Sequence, residues 1–251
     1  GNAIATVQSR DAYDNVSPAV AATAVTLTST SGGGTFYSDS GCTANIASVT
    51  IAGGASTASF YFKDTVAGSP VITAASTGLT SATQAETINP ATATRLAFTS
   101  APKSLAAGAC ATAVTVSSQD SFANAAPMGA ATTVNLTSSS VGNTFFSDPT
   151  CIKVVTSRII SAGTSTIVFY FKDTLAGTPT LTAAGGGLTN GTQVETVGAA
   201  APNRLAFTTA PQTLTAGSCS AITTVQSRDA FNNPSNVAAS TAPRSRRTAA
   251  S

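Results

Sequence analysis

The sequence predicts an all-β chain of tandem antiparallel β-sandwiches, and three observations predict it. The first is a period of 109 residues without insertion or deletion: Phe60-Tyr61-Phe62-Lys63-Asp64-Thr65 returns as Phe169-Tyr170-Phe171-Lys172-Asp173-Thr174. The second is alternation of apolar and polar residues at period two, the mark of a half-buried strand. The third is regular punctuation by Gly, Pro, Asn and Asp, with no convincing amphipathic helical stretch between the turns. A period this long is a whole domain rather than one turn of a solenoid.

Within one period the strands follow in order. Leu96 and Phe98 alternate with Ala97 and Thr99, a first strand ended by Pro102. Val114 and Val116 open a second, which reaches a turn at Asp120–Asn124. Val134 and Leu136 form a third, with a serine-rich exit at Ser138-Ser139-Ser140. Phe145 and Phe146 mark a short strand, and Val154 to Ile160 read as another. Ile167, Phe169 and Phe171 face one way while Val168, Tyr170 and Lys172 face the other, so the phenylalanines point inward. Thr180 to Ala183 and Gln193 to Val197 finish the unit, separated by Gly185-Gly186-Gly187. Seven or eight short strands in about 100 residues are the pattern of an immunoglobulin-like sandwich.

The register divides the chain into three parts: residues 1–94, a unit without its opening strand; residues 95–203, a complete unit; and residues 204–251, the start of a third. On that register the chain reads as a piece of something longer. Short proline-bearing joints, Asn89-Pro90-Ala91-Thr92 and Gly198 to Pro202, predict a semi-rigid array of neighbouring repeats. After about Ala242 the alternation breaks: Pro243-Arg244-Ser245 stands where a Val-x-Leu strand is due, as expected of a frame or fragment artefact. The incomplete units are expected to be less well ordered than the complete one.

Only 9% of residues are charged and the net charge is +2, which gives no reason to expect nucleic acid or an acidic membrane as partner. No apolar run is long enough to span a bilayer. The chain has no histidine, which removes the commonest general base, the usual Ser-His-Asp arrangement and most transition-metal sites. Of its ten acids only Asp14 lacks a repeat-equivalent acid. A catalytic constellation is usually unrepeated, so the expectation is no enzyme and no cofactor.

Cys42, Cys110, Cys151 and Cys219 also obey the period. Pairing Cys110 with Cys151 staples the complete unit and leaves Cys42 and Cys219 unpaired within this chain. Pairing Cys42 with Cys110 and Cys151 with Cys219 would instead cross between units. The first is favoured, because Cys110 and Cys151 follow strands that end at one pole of a sandwich and bridged Cα atoms must lie within roughly 7 Å. Disulfides place the chain outside the cytoplasm, in contrast to four reduced thiols.

Two further features are candidate sites. Asp11, Asp14 and Asn15 carry oxygen ligands suited to Ca²⁺. The same residues cap turns, and the second unit has only Asp120 as an acid there, so a structural turn is the favoured reading. Tyr61 and Tyr170 lie on the outer sheet face, where an aromatic ring stacks on a sugar or covers a sheet.

Three segments resemble the bacterial immunoglobulin-like domains of the invasin and intimin group. They are Val7 to Asn15 (with Val116 to Asn124 and Val225 to Asn233), Thr23 to Ser31 (with Thr132 to Ser140), and Ala67 to Ala74 (with Ala176 to Ala183). The family usually has Gly before the turn Asn; here stand Asp14, Ala123 and Asn232. The resemblance implies a tandem surface protein whose repeats space an adhesive tip from the outer membrane, some members binding host receptors. The expected function is therefore a non-catalytic spacer of a large secreted or surface-anchored bacterial protein, related to adhesion. The alternatives are a module binding a glycan or a host protein directly, and an accessory region of an extracellular hydrolase.

Overall fold

The computed structural model describes residues 4–237, and these form strands and no helix. The divergent tail after about Ala242 lies outside the described residues. The chain folds as two compact units. The first takes residues up to Ala93 together with Gln119–Ala126; the second takes Thr94–Ser118 and the chain from Pro127 onward.

In the first unit, β1 (Ile4–Gln8), β2 (Thr23–Ser29), β3 (Thr35–Tyr37), β4 (Asn45–Ile46), β5 (Ser48–Ile51), β6 (Thr57–Lys63), β7 (Val71–Ala75) and β8 (Ala82–Ala85) form two four-stranded sheets. Their orders are β1-β6-β3-β4 and β5-β2-β7-β8, with antiparallel neighbours. Val25 and Leu27 on β2, Phe36 on β3, Ile51 on β5, Phe60 on β6 and Ile72 on β7 meet in one core. Phe36 packs on Phe60 and Phe62 with ring centroids 5.7 and 5.2 Å apart.

The second unit repeats this plan with more strands. They are β9 (Arg95–Phe98), β10 (Ser104–Ala106), β11 (Val114–Gln119), β12 (Thr132–Ser138), β13 (Asn143–Phe146), β14 (Val154–Val155), β15 (Ser157–Ile160), β16 (Thr166–Asp173), β17 (Thr180–Ala184), β18 (Gly191–Val194) and β19 (Thr196–Gly198). A five-stranded sheet, β14-β13-β16-β11-β9, faces a four-stranded sheet, β15-β12-β17-β18. β16 shows why. Ile167, Phe169 and Phe171 are buried while Val168 is exposed and Tyr170 and Lys172 are half-buried, so one face of the strand fills the core. Each phenylalanine buried this fully contributes roughly 1.5–3 kcal/mol relative to exposure. Val114 and Val116 stand opposite Phe169 and Ile167 across the ladder. Val134, Leu136, Ile160, Leu181 and Ala183 close the core from the other sheet.

Two segments that read as single strands are each divided. Val154 to Ile160 changes sheets at Thr156, whose carbonyl accepts from Leu136 N instead of extending the β14 ladder. Gln193 to Val197 splits at Glu195, after which β19 pairs in parallel with β10. β10 itself follows Pro102 and has no alternation to announce it. After Asn203, β20 (Arg204–Phe207) and β21 (Val225–Arg228) form a two-stranded antiparallel ladder.

Cys110 and Cys151 form a disulfide with Cα atoms 5.9 Å apart, across a sequence separation of 41. Closing a loop of that length stabilises by roughly 4 kcal/mol on the chain-entropy estimate. Cys42 and Cys219 carry thiols.

Glu195, at the point where the chain leaves one ladder for another, is buried. Lys103 N donates to its Oε2, and no partner is placed on Oε1. Burial raises its pKa above 4.5, the ordinary glutamate value, and the Lys103 amide and charge offset that only in part. The folded chain therefore holds this proton more tightly than the unfolded chain. Stability falls as pH climbs from about 4.5 through the raised value. Glu195→Gln keeps an acceptor for Lys103 N and removes the charge. Its melting temperature relative to the parent chain is expected to rise steadily with pH across that window. A difference that stays flat in thermal melts would refute the assignment.

Candidate functional site

Heavily bonded polar groups lie in three equivalent turns. In each, a strand ends and an aspartate folds the next residues over its own carboxylate. Asp11 Oδ1 accepts from Tyr13 N and Asn15 N at 2.9 Å; Asp120 Oδ1 accepts from Phe122 N and Asn124 N at 2.9 Å; Asp229 does the same for Phe231 N and Asn233 N. The fourth residue of each turn is left-handed, at φ +67° for Asp14, +73° for Ala123 and +77° for Asn232. A left-handed backbone is one that glycine adopts without strain.

The second and third turns do more. Within the first unit, the Asn124 carboxamide accepts from Ala67 N and donates to Thr65 O, both at 2.9 Å, while Asp120 Oδ2 accepts from Ala91 N at 3.0 Å. Within the second unit, Asn233 bonds Ala176 N and Thr174 O, and Asp229 Oδ2 bonds Ala200 N, all at 2.9 Å. Asp120 and Asp229 are fully buried. Burial opposes their ionisation, but the side-chain bond from the partner Asn and the backbone bonds outweigh it and lower both pKa values. Phe231 lies against Gly108 so closely that a Cβ there would sit 2.3 Å from its ring. Each of these two turns is a clasp, held by side chains that reach the Asp-Thr-x-Ala loop and the proline-bearing joint of its own compact unit.

The first turn has the same residues without that engagement. Asp11, Asp14 and Asn15 are exposed, and Asn15 Nδ2 bonds the Asp11 carboxylate at 3.1 and 3.3 Å. Arg10 Nη1 donates to Asp14 O at 2.9 Å and pairs with Asp14 Oδ2 at 3.2 Å. Two carboxylate oxygens occupied by amides leave Asp11 a turn cap. Among the described residues no group of three or more acids, Cys or His gathers as a metal site.

A second set of turns carries the cysteines. Asp148 accepts from Thr150 Oγ1, Lys153 N, Ile152 N and Thr150 N, and these bonds, the Thr150 hydroxyl foremost, lower its pKa to about 2. The turn holds Cys151 at φ +53° opposite Cys110. Asp39 caps the equivalent turn around Cys42, at φ +52°, through Ala44 N at 2.6 Å and Thr43.

Tyr61 and Tyr170 are half-buried on the outer face of their sheets. Tyr61 stands opposite Tyr37 and Tyr170 opposite Phe146, so each ring adjoins a buried aromatic across the ladder. Lys172 Nζ lies 5.6 Å from the Phe146 ring centroid. No helix among the described residues is long and apolar enough to cross a membrane.

No family model matches the chain, and no curated protein matches it. Among solved structures it is similar to a β-glycosidase from Bacteroides vulgatus, with 15% identity, TM-score 0.37, and coverage of 69% of this chain and 21% of that one. It is similar also to domains 4 and 5 of the S-layer protein SbsC, at 19% identity, TM-score 0.31, and 76% and 80% coverage. A third is the Yersinia pseudotuberculosis adhesin InvE, at 17% identity, TM-score 0.32, and 77% and 53% coverage. The chain thus spans about a fifth of the length of the glycosidase and about half that of the adhesin.

Two predictions follow the turn geometry. Asn124→Ala removes three bonds and strands Ala67 N, and is expected to destabilise the first unit by about 2–4 kcal/mol. Asn15→Ala, at the exposed turn, is expected to cost less than about 0.5 kcal/mol. Equal losses in chemical denaturation would refute the clasp. Ala123→Gly relieves a left-handed alanine and is expected to stabilise by about 0.5–1 kcal/mol in the same assay.

Proposed function

We propose that the chain is a non-catalytic spacer segment of a large bacterial secreted or cell-surface protein, in tandem immunoglobulin-like repeats of the invasin and intimin type, and related to adhesion. The observation that carries this reading is the use of the recurring aspartates. Asp120 and Asp229 hold backbone amides of the preceding repeat's joint; Asp39 and Asp148 hold the cysteine turns; Asp64 and Asp173 hold the loop that the clasp grips. Carboxylates bonded to backbone amides at repeat-equivalent positions suit a part whose work is to keep its shape. The Cys110–Cys151 disulfide supports an oxidising, extracytoplasmic setting. Low charge and the absence of histidine fit a mechanical part that recruits neither nucleic acid nor metal.

The test is a glycan array and a panel of host surface proteins probed with the whole chain. A spacer is expected to bind none of them above background. Specific binding that is lost in Tyr61→Ala with Tyr170→Ala would overturn the spacer reading and make this a direct binding module.

A further inference from the structure

β10 and β19 run parallel, with Ser104, Leu105 and Ala106 opposite Thr196, Val197 and Gly198. Bonds continue past both ends of this short ladder. Lys103 N donates to Glu195 Oε2, Thr196 N to Lys103 O at 2.9 Å, and Ala107 N to Gly198 O at 2.7 Å. β19 is held on its other side too, since Val197 and Gly177 exchange both backbone bonds. β10 is followed by Gly108 N and Ala111 N, which donate to Asp173 O and Phe171 O of β16. In chain order β10 lies near the entry to residues 95–203 and β19 near their exit. A pull on entry and exit therefore drags two parallel strands past each other lengthwise. Their bonds are loaded together rather than broken one at a time.

One turn spans both strand ends. Gly108 lies two residues past the end of β10, and Ala200 two residues past the end of β19. Phe231 packs on Gly108, where a Cβ would sit 2.3 Å from the ring and φ is +77°. Ala200 N donates to Asp229 Oδ2 at 2.9 Å, and Ala200 O accepts from Ser235 Oγ at 2.6 Å. Asn233 holds Thr174 and Ala176, next to the Gly177 that brackets β19. All of these residues belong to the second compact unit. We propose that β10 and β19 form a shear clamp in the sandwich of residues 95–203, and that the turn from Asp229 to Ser235 bolts it. The bolt ties the two strand ends at equal distance beyond the ladder, so neither strand slides until the turn lets go. The use of such a clamp rests on the spacer reading, because only a part that carries load needs one.

The test pulls the whole chain at constant force in magnetic tweezers. Handles are clicked to azide-bearing residues placed at Thr94 and Asn203, both exposed, so that the cysteines are untouched. The event of this sandwich is recognised by its length. In reductant it releases roughly 140 Å more, the 41 residues that the Cys110–Cys151 bridge withholds. Ala107→Pro, which removes the bond to Gly198 O, is expected to speed unfolding under force about fivefold or more. Phe231→Ala and Ser235→Ala, which touch neither strand, are each expected to speed it in the same sense, with β content unchanged by circular dichroism. Phe122→Ala, in the equivalent turn of the first unit, is expected to leave this event unchanged. If Ala107→Pro loses its β signal, the two turn variants decide alone. A rate unmoved by both turn variants overturns the bolt, and one unmoved by a folded Ala107→Pro overturns the clamp. Either result leaves the spacer reading standing, whereas specific binding on the glycan array would remove that reading and leave the force data intact.

Discussion

The structure depends on closing a short sandwich with a strand that serves both of its sheets. β9 does this in the second unit. It extends the five-stranded sheet beside β11, while Leu96 N donates across to Thr189 O at 2.8 Å, next to the opposite sheet's edge. Leu96 enters the core between the layers, and Phe98 meets Phe169 at 6.3 Å. Val114, Val116 and Leu181 are consequently sealed, whereas Ala5, Val7 and Ile72 border an open groove in the first unit. Apolar contact of this kind has no direction of its own. The backbone bonds at the edge tell the strand where to lie.

The clasps solve a different problem, the burial of charge. A carboxylate removed from water is costly unless its lone pairs are filled, and Asp120 and Asp229 fill theirs with amides from two segments each. Three of the four donors to each carboxylate belong to the turn itself, and they are present also where the turn is exposed, as at Asp11. The fourth, Ala91 N or Ala200 N, comes from the proline-bearing joint. The turn is thus shaped by its own bonds, and the joint adds one more to each carboxylate. Because these pKa values are lowered, their contribution is present above the ordinary aspartate range and is lost as pH falls through the lowered values.

Much of the fold was legible because period-two alternation is a local signal. Phe60, Phe169 and Phe171 could be placed inside from their neighbours alone. The sheet change at Thr156 was not legible, since Val154 to Ile160 stays β-rich across it. β10 was missed for the converse reason: three residues beside β19 are fixed by a parallel partner more than 90 positions away, at Thr196. The joining role of Asn124 and Asn233 was hidden because an Asx turn explains Asp and Asn locally. One signal was available. The turn Asn is constant at 15, 124 and 233 while its predecessor varies as Asp14, Ala123 and Asn232. A purely local turn constrains the left-handed position more than the residue after it, so constancy at the Asn marks a second partner.

That partner also explains why the period admits no insertion over these spans. The Ala91 amide lies 29 residues before Asp120, and Ala200 lies 29 before Asp229. Thr65 and Thr174 each lie 59 before the asparagine they bond. Two contacts of different span converge on one five-residue turn. A residue added between the loop and the joint, or between the joint and the turn, would have to be absorbed as a bulge before both could form. The β2 and β12 faces exert the same pressure, because a slip of one would expose Val25 and Leu27, or Val134 and Leu136. Side-chain identity at an exposed strand face is under neither constraint, which is where the repeats diverge: Ser48 against Ser157 is retained, but Thr50 faces Ile159 in the alignment of the two units. Length is thus fixed more strictly than sequence, because backbone groups specify the joint and backbone groups count residues.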